Sequence, residues 1–142
     1  NYSKSIFWFN EFLNDYSIKK NDVTSNIYYY SHIINLLVHF EAKNFDSIDY
    51  LYKESITNLR KIRPLNKFDK AILNFIKNYA NNAEQSKTNE EKMFNDLKVK
   101  LKDFASEPQE TTALQFFDFF AWIESHLSSN TIVEIINKKQ LA

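Results

Sequence analysis

Apolar residues recur along this chain at steps of three and four, separated by short polar breaks. That is the spacing of amphipathic helices and not the strict alternation of strands. Between Asp22 and Lys43, the residues Tyr29, Tyr30, Ile33, Leu36, Leu37 and Phe40 fall within a sector of roughly 120° when wound at about 100° per residue. One helix with a broad buried face is expected there. A second is expected from Asn44 or Asp46, carrying Ile48, Leu51, Tyr52, Ile56 and Leu59. It must stop at Arg63, because the residue before Pro64 is pushed out of the helical region. Asn66 is a good N-cap for a third helix, with Phe68, Ile72, Phe75, Ile76 and Tyr79 on its apolar side, fading at Asn81, Asn82 and Ala83.

Thr88 and Glu91 have capping-box spacing and predict the start of a fourth helix. Its stripe, Met93, Leu97, Leu101 and Phe104, is narrow and flanked by Lys92, Lys98, Lys100 and Lys102, which suits the outside of a bundle. Pro108 fits the first turn of a fifth. There Phe116, Phe117, Phe119, Phe120, Trp122 and Ile123 cover nearly the whole circumference. Such a helix must be enclosed on several sides or meet something outside this chain. Thr131 and Glu134 form another capping box, opening a short helix through Val133, Ile135 and Ile136 to Lys139. At the other end, Ser3 to Tyr16 reads as a helix with aromatics to bury, namely Phe7, Trp8, Phe9, Phe12 and Tyr16, together with Leu13. About seven helices and no strands make an all-α domain spanning residues 1–142. Helix starts near Thr24, Asn66 and Pro108 recur at about 42 residues, which suggests a repeat of two helices per step.

Composition narrows the chemistry. The 142 residues include no glycine, where average usage of ~7% would put about ten. Dinucleotide fingerprints, P-loops, nucleophile elbows and EF-hand loops all need glycine for a tight turn or a close backbone approach, so none is present in standard form. There is no cysteine, which removes disulfides, cysteine zinc sites and thiol nucleophiles. Eighteen basic and eighteen acidic side chains cancel, so no overall field draws the chain to nucleic acid or an anionic membrane. No apolar run reaches the ~18–20 residues of a membrane span. Cytoplasm is the default location. The chain begins at Asn1 rather than methionine, so it is read as a processed product or a piece of a longer protein.

The segment Tyr28 to Arg63, two helices joined by Lys43-Asn44-Phe45-Asp46-Ser47-Ile48, resembles a degenerate tetratricopeptide unit. The turn has the small polar, aromatic and acidic corner of that repeat, and Tyr52 keeps the aromatic character of its second helix. His32 stands at the family's tryptophan position, Asn35 and Leu36 at its leucine-glycine pair, His39 at its tyrosine, and Arg60 where proline is usual. These positions depart from the signature. The Asn- and Lys-rich, aromatic-heavy helices also resemble the C-terminal part of uncharacterised bacterial helical-repeat proteins. The resemblance implies antiparallel helix pairs stacked as a short right-handed superhelix, a scaffold that binds other proteins, with no catalytic residues to carry over.

Tyr28, His32, Asn35 and His39 are spaced by four, three and four residues, so they form one line on the face opposite the core sector. In stacked helical pairs such a face lines the concave surface, where rings and amides suit recognition of a peptide or partner helix. The same pattern is also the ordinary composition of a solvated face. His32 and His39 lie two turns and roughly 10 Å apart, too far to share one zinc, so no metal or other cofactor is expected. Arg60, Arg63 and Lys67, with Lys61 and Lys70, gather positive charge around Pro64 and form a candidate anion-binding corner. Cations at a helix C-terminus also serve the dipole there. Glu124 and His126 fall on different helix faces, and no serine sits in a nucleophile context, so an enzyme is not expected. The leading expectation is a non-enzymatic protein-binding scaffold. The alternatives are a bundle holding an apolar small molecule among the phenylalanines after Pro108, or a structural subunit, for instance a homodimer, packing through its aromatic-rich terminal helices.

Overall fold

A computed structural model describes the backbone of residues 1–15, 22–82 and 86–142, and the side chains of 1–11, 25–82 and 86–142. The expected Phe12, Leu13, Tyr16 and Ala83 lie outside the described side chains. The described residues form seven α-helices and no strand: α1 (Tyr2–Asp15), α2 (Asp22–Glu41), α3 (Phe45–Ile62), α4 (Lys67–Asn81), α5 (Lys87–Ala105), α6 (Phe119–Leu127) and α7 (Ile132–Leu141). The chain is all-α, as the periodicity requires. No described helix is long and apolar enough to cross a membrane. Where the sequence suggests one domain, the chain divides into two compact units, Asn1–Ala83 and Glu84–Ala142.

In the N-terminal unit α2 is the central element, packed against α1, α3 and α4, with α3 also against α4. Its expected apolar sector, from Tyr29 to Phe40, is buried. Without glycine, the α2–α3 corner is built from lysine. Lys43 has φ 59°, the left-handed position that ends a helix. The Asn44 N–H donates to the His39 carbonyl at 3.0 Å, and the Lys43 N–H donates to the Phe40 carbonyl at 3.0 Å. This is a Schellman closure. A non-glycine residue pays roughly 1–2 kcal/mol for that conformation, partly offset because it loses less entropy on folding than glycine would. Lys43→Gly is therefore expected to stabilise the unit by about 0.5–1 kcal/mol, seen as a higher urea midpoint with an unchanged slope.

Arg63 is extended, at φ −166° and ψ 165°, as Pro64 demands. Asn66 then caps α4, its side chain accepting from the Asp69 N–H at 2.8 Å. Phe68, Ile72, Leu73, Phe75 and Ile76 are buried along α4, and Phe40 meets the Tyr79 ring edge-on at 4.8 Å.

The C-terminal unit departs from the sequence reading in two places. Ser86, not Thr88, caps α5, accepting from the Asn89 N–H at 3.3 Å. Thr88 sits inside the first turn, and the buried stripe is Phe94, Leu97 and Leu101. No single helix runs from Pro108. Two 3₁₀ turns, Pro108–Glu110 and Thr112–Gln115, come first, and α6 opens at Asp118, whose carboxylate accepts from the Ala121 N–H at 2.8 Å. Phe116 and Phe117 therefore precede the helix, and the all-round aromatic surface does not exist. The third step of the 42-residue period fails with it, because no α-helix starts at Pro108. At α7 the Thr131–Glu134 capping box is present in both directions.

Candidate functional site

The four residues of the proposed groove do share one line of α2. The line is interior: His32 is 5% exposed, Asn35 6%, Tyr28 6% and His39 8%. The open concave face expected here is corrected for a simple reason. The line does not lie on the far side of α2: at about 100° per residue His32 stands only about 40° from Leu36, so the line borders the apolar sector and is buried along with it where α1, α3 and α4 pack against α2. Helical phase places the line between the core sector and the least covered line of α2, Ile27, Ser31, Ile34 and Val38.

The line is incompletely satisfied. Among the described residues, His32 Nε2, Asn35 Oδ1 and His39 Nε2 have no hydrogen-bond partner. The Tyr28 ring meets His32 edge-on at 4.8 Å. The Asn44 amide Nδ2 lies 3.2 Å from His39 Nδ1, so a neutral imidazole accepts there. Burial alone pushes the His32 imidazole down to about 4, and lowers that of His39. Among the described residues, no group of three or more His, Cys, Asp or Glu side chains is placed to hold a metal ion.

Of the basic corner, Arg60 and Lys67 are exposed, but Arg63 is half-buried and engaged. Its guanidinium lies 4.1 Å from the Tyr29 ring centroid and 5.5 Å from that of Tyr30, and its Nη1 donates to Asn26 Oδ1. Beside it is a cluster the sequence reading missed. Asp69 is fully buried, and its Oδ2 accepts from the Tyr29 hydroxyl at 2.9 Å and the Tyr30 hydroxyl at 3.4 Å. Burial first, then the Asp69 charge, raises both phenols above their ordinary value, so they stay protonated donors. The corner is a structural joint between α2, the end of α3 and α4. Arg63 is committed to this joint.

The surface feature with binding character lies between α1 and α2. An open groove of about 420 Å³ is lined by Ser5, Trp8 and Phe9 of α1 and by Ile27 and Ser31 of α2. Both serine hydroxyls turn back on their own helix, Ser31 Oγ to the Ile27 carbonyl at 2.7 Å and Ser5 Oγ to the Asn1 carbonyl at 3.4 Å. What remains on offer is apolar. Trp8 is 68% exposed and Phe7 56%, with their rings edge-to-face at 5.5 Å. The expectation that the α1 aromatics are buried is thus corrected at Phe7 and Trp8. The signal was present in the sequence: Phe7, Trp8 and Phe9 are consecutive, and consecutive residues of a helix point in different directions. No protein-family model matches the chain, and neither the curated proteins nor the solved structures give a match.

Proposed function

We propose that the protein is a non-enzymatic interaction module that seats a peptide or partner helix, with α2 and α3 as a degenerate tetratricopeptide-like pair. The contact surface is the α1–α2 groove and not the Tyr28–His39 line. The observation that carries this reading is the exposure of Trp8 in the wall of an apolar groove, with the exposed Phe7 ring against it. Exposed large aromatics beside a cleft are what a docking surface supplies, because a rigid ring buries much area at little entropic cost. The groove spans about one turn of each helix, enough for one or two apolar anchors of a partner. The ionisable groups with the largest shifts, Tyr29, Tyr30 and His32, are held inside the packing, and the reading assigns them no chemistry.

A photo-crosslinking residue at Ser31, compared with one at the exposed Lys100, tests this in native cells. Crosslinking to a protein from position 31 alone is expected, with at least a tenfold loss in the Trp8→Ser background. The same substitution should move the thermal midpoint by no more than about 2 °C, since an exposed side chain contributes little to folding. Self-crosslinks would identify the second copy as the partner. Equal yields from the two positions, or yields indifferent to Trp8, would overturn the reading.

A further inference from the structure

Three polar atoms without partners, on side chains more than nine-tenths buried, stand at consecutive positions of one line: His32, Asn35 and His39. Two of the three belong to imidazoles, the side chain that changes charge in mildly acidic solution. We propose that the His32–Asn35–His39 line is an acid-sensitive latch, holding the N-terminal unit closed while both imidazoles are neutral and loosening the packing around α2 when they take up protons.

The geometry gives the latch its direction. Neutral His39 accepts at Nδ1 from the Asn44 amide 3.2 Å away, at the corner that closes α2. An imidazolium carries a proton on both nitrogens, so protonation sets an N–H against the N–H of Asn44 and breaks this contact. At His32 the incoming charge meets the Tyr28 ring, whose centroid lies 4.8 Å away, and no counter-ion. The neighbouring elements do not supply one. On α1 the described charges Lys4 and Glu11 are exposed. On α3, Asp49 is bonded to Lys53 at 2.7 Å. On α4 the single buried charge is Asp69, which the Tyr29 and Tyr30 hydroxyls already hold. Burial is the cause of the shift at both imidazoles, with no contribution from a described charge.

A base whose folded-state value is depressed stabilises the fold fully above its unfolded value of 6.5, and that contribution falls as the pH drops from there toward about 4 for His32. Between pH 7.5 and 4.5 the unfolding constant of the N-terminal unit should rise on the order of 50-fold from His32 alone. Hydrogen exchange of the α2 amides in the intact chain reads this locally. The double variant His32→Leu, His39→Leu replaces both rings with apolar side chains of similar size and should lose this pH dependence while keeping neutral-pH protection. A second measurement needs no variant. The chain has three histidines, so their imidazole proton resonances can be assigned and titrated in the native protein. His32 is expected to stay largely neutral down to about pH 5, and His39 to titrate below 6.5, for as long as α2 remains protected. Reversible titration of both near pH 6.5 with α2 amides still protected, or an undiminished pH slope in a folded double variant, would overturn the latch.

Discussion

Asp69→Ala is expected to destabilise the N-terminal unit by about 3–5 kcal/mol, the range for removing one partner of a buried charged network. The side chain is fully buried, and one of its oxygens serves two phenols, Tyr29 at 2.9 Å and Tyr30 at 3.4 Å. Truncation leaves both hydroxyls without that acceptor, and each buried donor so orphaned costs about 1–3 kcal/mol. It also removes the buried charge held by Tyr29, the ring over which the Arg63 guanidinium lies. Asp69→Asn keeps an acceptor and should cost about 1–2 kcal/mol. The triple variant Asp69→Leu, Tyr29→Phe, Tyr30→Phe replaces donors and acceptor together and should recover most of the loss, because an apolar cluster of similar volume has nothing left to satisfy. Urea midpoints of the four proteins measure this. If the triple variant were no more stable than Asp69→Ala, the cost would lie in packing volume and not in orphaned hydroxyls. The same cluster sets an alkaline limit. Both phenols are raised above 10 by burial, so the unfolded chain loses protons first and stability declines as the pH climbs past 10. Ultraviolet titration should find two of the eight tyrosines silent until the unit unfolds.

Asp69 also shows what was legible in the sequence and what was not. At about 100° per residue it falls inside the arc of Phe68, Ile72, Leu73 and Ile76, so an acid at core phase was visible. Its partners were not, because they lie some forty residues away and nothing local names them. The same distinction separates the success on α2 from the failure. Periodicity identifies which residues share a line, and the sector from Tyr29 to Phe40 is buried as expected. It does not say how wide an arc the neighbouring helices cover, and on α2 the buried arc extends past Leu36 to take in the His32–His39 line. At the helix starts, local chemistry decided. Asn66 was readable because it stands alone as a capping residue and Thr131 because Glu134 completes its box, whereas Ser86 and Thr88 compete two positions apart and the earlier one won. Pro108 was compatible with a helix, but Asp118 intercepted it by capping its own turn ten residues later.

The second large effect belongs to the C-terminal unit, where Trp122→Ala is expected to remove most of the stability. At about 60 residues, this unit hides only ~60% of the surface its unfolded chain exposes and has roughly 3–9 kcal/mol to lose. Trp122 is fully buried and centres the aromatic packing between α5 and α6. Phe94 meets it edge-on at 5.5 Å, and His126 stacks on Phe94 at 4.3 Å while lying 5.7 Å from the indole. Truncating a buried tryptophan costs about 3–5 kcal/mol, part lost transfer energy and part cavity. That is comparable to the whole stability of so small a unit. Hydrogen exchange should therefore show the α5 and α6 amides unprotected at 25 °C. Trp122→Phe keeps a ring against Phe94 and should cost less than half as much, leaving the unit folded. Val99→Ala, at a side chain 70% exposed on the same α5, should stay within about 0.5 kcal/mol. The contrast matters more than any one value. Exposed apolar residues on α5 should be nearly silent and the single indole decisive, because a thin core has no second layer to take up the cavity. Protection that survives Trp122→Ala would mean that Leu97, Leu101 and Ile123 close over the gap, and the unit would then rest on aliphatic contacts instead of the aromatic triad.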